Sequence, residues 1–353
     1  MSKTAPGSGS RWRILLGRMA RVPRPPNSKK GRGFINPFTH PAAMMRRSGE
    51  KFRVFWSRTS QVAKFRRERG VKAYPNSTKI RTLTRASARL AWITDPHFDR
   101  MSDRRFSGEI RRLSNIRCDS YLITGDLSVA GRINDHLACL SKVLAPRPVF
   151  FVTGNHDYFG ASFAEVDAGL NEVCDRHANL IQLGQREIIR LSSTTCLVGH
   201  RGWCDGLAGD GAETSVWSSD QWKIADFRGL DHDQFFDAME AKGRDSAVYL
   251  RSILPAALSR YQTVLIASHF PPFPDGVIHE GRRAGDAWLP FYTNQSAGRL
   301  IAGIALNHPR KRIIVCAGHT HRPITTNILR NLELRVGAKL SARSGGVALL
   351  SIN

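Results

Sequence analysis

Acidic residues are almost missing from the front of this 353-residue chain: the first 89 residues hold only Glu50 and Glu68 against 23 lysines and arginines. The whole chain carries a formal charge of +24, and +21 of it sits in that stretch, so the remainder, with 30 bases and 27 acids, is nearly neutral. Long apolar runs are also missing. The best, such as residues 300–306, are far too short to cross a bilayer, which argues against a membrane span. The six cysteines (Cys118, Cys139, Cys174, Cys196, Cys204 and Cys316) include no CxxC pair, which leaves a structural zinc knuckle without support. They read as free, mostly buried thiols in a reducing compartment, and a cytoplasmic location is expected. Neither a GxxxxGK[ST] phosphate loop nor a GxSxG nucleophile elbow appears, so chemistry that needs either motif is excluded.

What the front does contain is a Gly/Ser stretch at residues 7–10, prolines at Pro23, Pro25 and Pro26, and basic clusters such as Arg66, Arg67 and Arg69. High like charge with few apolar residues cannot offset the entropy of ordering, so residues 1–88 are expected to form a mostly disordered basic extension. A short helix is conceivable near residues 53–67. Four uses of the extension stay open: a tail touching nucleic acid or an anionic surface, a targeting peptide, a solvated tail without a specific role, and an upstream start that is not used. No apolar stretch followed by a small-residue cleavage site supports a secretory signal.

From residue 89 the pattern changes. Apolar β runs at residues 89–94, 120–124 and 148–153 alternate with helical periodicity at 103–117 and through Ile133, Leu137 and Leu140. That rhythm implies right-handed crossovers and a largely parallel sheet. A helix at 162–177 follows, then neighbouring strands of a second sheet at 187–191 and 195–198. Residues 202–227 read as loop. A helical pair is expected at 231–241 and 245–260, then a strand at 263–267, a helix at 295–307, a strand at 312–316 and three strands across 324–352.

Chemistry-bearing residues follow five of these strands. They end in Thr94-Asp95-Pro96-His97, Thr124-Gly125-Asp126, Thr153-Gly154-Asn155-His156-Asp157, Ala267-Ser268-His269 and Ala317-Gly318-His319-Thr320-His321. The carboxyl edge of an open α/β sheet is where ligands bind. Imidazole together with carboxylate suits divalent ions such as Zn, Fe or Mn. Asp95, His97, Asp126, Asn155, His269, His319 and His321 are too many ligands for one small cation and enough for two, sharing a carboxylate and a bridging water or hydroxide. In an extended chain, alternate residues point the same way, so Asp95 with His97, and His319 with His321, can each reach one site. Gly125, Gly154 and Gly318 leave room for tight backbone turns beside the ions.

The blocks DxH, GD, GNHD, SH and GHTH, in that order from Asp95 to His321, resemble the calcineurin-like metallophosphoesterase superfamily. The resemblance covers most of the chain beyond the extension. It implies an α/β fold of two mixed β-sheets packed as a sandwich and flanked by helices, a four-layer αββα arrangement spanning 89–353. It also implies a phosphoric ester hydrolase, acting on phosphomonoesters or phosphodiesters by in-line attack of a hydroxide between two metals. Asp95, His97 and His321 would hold one ion, Asn155, His269 and His319 the other, and Asp126 both. His156 would contact the phosphate, and Asp157 would support its loop or tune it; both are candidate catalytic residues. His200 follows an apolar strand but matches no ligand position, so a structural or substrate-side role is expected. Residues 202–227 and 271–294 are candidate substrate-setting insertions, the first carrying Trp203, Trp217 and Trp222 and the second Arg282, Arg283, Trp288, Phe291 and Tyr292. An alternative reading is a nucleic-acid-binding protein that acts through residues 1–88, with nuclease or incidental hydrolase activity.

Overall fold

The computed structural model of the protein describes residues 78–83, 88–185, 187–279, 281–341 and 346–353. The expectations for residues 1–77, including the short helix, lie outside the described residues.

Period-2 burial builds the core in three separate blocks. In β2 (Arg89–Ile93), Leu90 and Trp92 face one way while Ala91 and Ile93 face the other. In β8 (Thr263–Ala267), Leu265 and Ala267 share the first environment, and Val264 and Ile266 pack elsewhere. The shared environment is the seam between two sheets. The first sheet is five-stranded, ordered β14-β2-β3-β4-β5, with β3 Ser120–Thr124, β4 Val149–Val152, β5 Leu180–Gln182 and β14 Val347–Ser351. Its strands are parallel except β14. The second is seven-stranded, ordered β1-β6-β7-β8-β11-β13-β12, with β1 Lys79–Thr82, β6 Glu187–Arg190, β7 Thr195–Gly199, β11 Arg312–Ala317, β12 Ile324–Leu329 and β13 Leu332–Val336. A two-stranded ribbon pairs β9 (Ile278–His279) with β10 (Arg282–Arg283).

Helices cover both outer faces. α1 (Asp103–Ser114), α2 (Ile133–Leu144) and α3 (Phe163–Arg176) bury Ile110, Leu137 and Leu170 on the five-stranded sheet. After the single-turn α4 (Asp220–Lys223), α5 (His232–Arg260) and α6 (Gln295–Asn307) bury Ile253 and Ile301 on the seven-stranded sheet. The result is the expected four-layer αββα sandwich. Ser102 caps α1, and the Ser162–Glu165 capping box closes the start of α3.

The structure differs from the sequence reading in several places, among them β5 and the β9–β10 ribbon, where no strand was expected. Residues 231–260 form one 29-residue helix rather than a pair. Gly243, which reads as a breaker, is there for close approach, since a Cβ would lie 2.4 Å from Asp205 Cβ and 3.1 Å from the Trp203 carbonyl. Residues 202–227 are not all loop, for they contain α4 and two 3-10 turns. Within the stretch counted with the basic extension, β1 pairs in parallel with β6, and Arg81 meets Glu187 at 2.7 Å.

Candidate metal centre

Five strand ends converge on one buried spot. β2 delivers Asp95 and His97, β3 Asp126, β4 Asn155, β8 His269, and β11 His319 and His321. Two groups of donor atoms result, each within 4.8 Å of one another: Asp95, His97, Asp126 and His321, and Asp126, His269 and His319. Asp126 belongs to both. Asn155 joins the second, its Oδ1 being 3.3 Å from His269 Nε2. His97 Nε2 lies 3.2 Å from His321 Nε2, and His321 Nε2 lies 3.3 Å from Asp95 Oδ1. His269 Nε2 lies 3.3 Å from Asp126 Oδ1.

The local backbone is unusual. The pairs do not converge by simple alternation along an extended chain. Asp95, His97, Asp126, His319 and His321 all have positive φ, from 43° to 68°, and they are the non-glycine residues with positive φ among those described. Side chains other than glycine seldom adopt that region, and such strain gathers at functional sites. It is held by backbone bonds such as His97 N–H to the Asp126 carbonyl at 3.0 Å, and by His319 N–H donating to both Asp95 oxygens at 3.1 Å. Of Gly125, Gly154 and Gly318, Gly125 alone has a positive φ, 87°. Gly154 and Gly318 serve close approach instead, because a Cβ on Gly154 would sit 2.6 Å from Asp126 N and one on Gly318 would sit 1.9 Å from Thr94 Oγ1.

Electrostatics favour bound cations. Burial keeps three of the imidazoles neutral, with lone pairs to offer: His97 falls to about 2 through burial and the neighbouring His156, and His269 and His319 also fall, chiefly by burial. His269 donates Nδ1–H to the Thr124 carbonyl at 2.9 Å, and His319 donates Nε2–H to the Phe291 carbonyl at 3.2 Å. Each thereby presents its other nitrogen as an acceptor. Asp126 is pushed well up by burial and by the charges of Asp95 and Asp157. Asp95 would also rise on burial, but His321, the charge of His269 and the Thr94 hydroxyl hold it below the ordinary range. Neutral imidazoles around crowded, buried carboxylates fit divalent metal ions, which would relieve the repulsion that lifts Asp126.

His156 sits beside this cluster, its Nε2 3.8 Å from Asp126 Oδ2. Arg100 Nη2 lies 3.3 Å from His156 Nδ1. A guanidinium can only donate, so Nδ1 accepts and the ring proton is on Nε2, facing the cluster. Burial and the Arg100 charge lower His156 to about 3. Asp157 does not bond to His156. Its oxygens accept the Gly154 and Ser128 N–H groups, both at 2.8 Å, so it ties the β3 and β4 loops together; burial raises it to about 7. His200 is buried, accepts the Gly202 N–H at 3.2 Å and belongs to neither donor group.

Sequence reasoning missed two contributors from the insertions. Asp220 of α4 is buried and accepts the Asn155 Nδ2–H at 2.9 Å, and the Phe291 carbonyl holds His319. The exposed tryptophans Trp217, Trp222 and Trp288 attract attention in the sequence, whereas a lone aspartate and a backbone carbonyl leave no signal. Trp203 is wholly buried in the core.

The calcineurin-like phosphoesterase family matches residues 88–323, well over half of the chain, and the protein belongs to that family. No curated protein matches the chain. Among solved structures, it is similar to a protein of Thermus thermophilus, at 12% identity and TM-score 0.41 over 76% of this chain and all of that one. It is also similar to a dimetal phosphatase from Danio rerio, at 12% identity and TM-score 0.46 over 75% of this chain and 92% of that one. A 5'-nucleotidase from Candida albicans shares 12% identity at TM-score 0.37, over 74% of this chain and 48% of that one. No described helix is long and apolar enough to cross a membrane.

Proposed function

We propose that the protein hydrolyses phosphomonoesters or phosphodiesters at a centre for two divalent cations of the Mn, Fe or Zn type. The observation that carries this reading is the pair of donor groups that overlap at Asp126. Asp95, His97 and His321 form one side, and Asn155, His269 and His319 the other. When bound, the cations supply activated water and charge compensation for an in-line displacement at phosphorus.

The chain's own residues do the rest. Asp126 stands between the two sides and fixes their separation. His156 offers its Nε2–H to a phosphoryl or leaving oxygen, and Arg100 holds that tautomer. Asp157 keeps the two loops at a fixed spacing, so the His156 N–H can donate to Asp126 Oδ1 at 3.0 Å. The backbone strain at five of the donors is consistent with a centre shaped in advance of binding.

The test is turnover of an aryl phosphate and of a bis-aryl phosphodiester, with the protein stripped of metal and then supplied with Mn, Zn, Fe, Co or Ni. Hydrolysis that depends on added metal is expected. Absence of turnover with all five ions would contradict the proposal.

A further inference from the structure

The two insertions are candidate substrate loops by sequence, yet each places one hydrogen-bond partner on a donor of the same side of the centre. The 202–227 insertion supplies Asp220, whose Oδ1 accepts the Asn155 Nδ2–H at 2.9 Å. The 271–294 insertion supplies the Phe291 carbonyl, which accepts His319 Nε2–H at 3.2 Å. His97, on the other side, has a buried Nδ1 with no such partner.

Asn155 needs this help more than its neighbours do. A carboxylate presents oxygen whichever way it turns, but an amide presents oxygen on one face and N–H groups on the other. Only the oxygen can ligate a cation. Here Oδ1 points toward His269 Nε2 at 3.3 Å and Nδ2 toward Asp220. An ionised carboxylate accepts hydrogen bonds and cannot donate, so a flipped amide would set oxygen against oxygen at Asp220 and aim N–H groups at the cation. Both side chains are buried, Asn155 at 5% and Asp220 at 5% exposure, so water offers little relief. α4 is itself held, because the Gly160 N–H donates to the Lys223 carbonyl at 2.9 Å and Gln221 Nε2 donates to the Leu230 carbonyl at 3.0 Å. Asp220 is therefore a fixed post rather than a mobile partner.

We infer that Asp220 is a positioning residue for the centre: it locks the Asn155 amide with its oxygen toward the cation shared with His269 and His319, and so sets the affinity of that side alone. The inference rests on the two-cation reading above. It gives the 202–227 insertion a role in assembling the centre as well as in covering it. Outer partners of metal ligands commonly change affinity by about 10- to 100-fold when removed.

The experiment is calorimetric titration of the metal-stripped full chain with Mn2+, for the wild type, Asp220→Ala and Asp220→Asn, and for each in an Asn155→Asp background. Melting of each metal-free variant checks the fold. The wild type is expected to bind two ions. Asp220→Ala should weaken one by about 10- to 100-fold and leave the other within about threefold. Asp220→Asn keeps the size and an acceptor but lets either amide flip, so a smaller loss on the same ion is expected. It carries the test alone if the alanine variant does not fold. In the Asn155→Asp background the orientation no longer matters and two carboxylates face each other, so removing Asp220 should tighten binding instead. Equal weakening of both ions, no weakening of either, or the same loss in both backgrounds would overturn the inference. A wild type that binds fewer than two ions would instead remove the two-cation reading, and this inference with it.

Discussion

The five-stranded sheet brings Asp95, His97, Asp126 and Asn155 to the centre, whereas the seven-stranded sheet brings His269, His319 and His321. Every oxygen donor of the two groups comes from one sheet; the other supplies only imidazoles. Burial acts in opposite directions on the two: it raises Asp126 and lowers His269 and His319. Neither sheet alone holds either donor group. The distance between the sheets, set by apolar contacts such as those of Leu90, Leu122, Leu265 and Ile314 in the seam, is thus part of the site. A site split in this way ties metal binding to the packing of the whole sandwich.

The strongest way to break the contrast is to remove charge from the oxygen side. Asp126→Asn should lower metal-dependent hydrolysis by more than about 100-fold, because it alters the one donor common to both groups. Without metal, the same variant should melt higher than the wild type, since folding no longer buries a carboxyl whose ionisation burial, Asp95 and Asp157 all oppose. Full activity, or a lower metal-free melting temperature, would show that Asp126 is not the strained hub described here. His156→Ala leaves both donor groups intact. It should reduce kcat by about 100-fold while two Mn2+ ions still bind, read by steady-state kinetics beside calorimetry. Loss of an ion would make His156 a ligand instead.

Packing comes next in size. Gly154→Ala puts a methyl group against the Asp126 backbone and should cost about 1–3 kcal/mol in chemical denaturation, with activity falling as Asp126 shifts. An unchanged midpoint would mean that the β3 and β4 loops are looser than their close approach implies. The smallest effect is expected on the imidazole sheet, away from the centre. Glu333 would be pushed up by its partial burial, but hydrogen bonds from Arg335 and Arg312 hold it below its ordinary value of 4.5. That depression stabilises the fold above the ordinary value and is lost as pH falls through the lower, folded one. Glu333→Gln should cost less than about 1 kcal/mol at neutral pH, and its difference from wild type should shrink on acidification. A difference that grows toward acid would reverse the assignment.

The donor residues were legible because each follows an apolar strand, where a purely structural role seldom calls for an Asp, His or Asn. The apolar runs at residues 89–94, 120–124 and 148–153, interleaved with helical periodicity, likewise exposed the parallel sheet. The left-handed backbone at Asp95, His97, Asp126, His319 and His321 was not legible, since aspartate and histidine do not announce that conformation as glycine does. The continuity of α5 through Gly243 was hidden because a glycine needed for close packing looks like one that ends a helix. The short β1 and β5 carry too few residues to show a period. Asp220 is one acid among many until the fold brings it to Asn155, 65 residues away in the chain.

A crystal of the full chain grown with Mn2+, and read by anomalous scattering at the manganese edge, tests the central claim most directly. The account predicts two peaks, one among Asp95, His97 and His321 and one among Asn155, His269 and His319, with Asp126 in contact with both. One peak, or two that do not share Asp126, would contradict it.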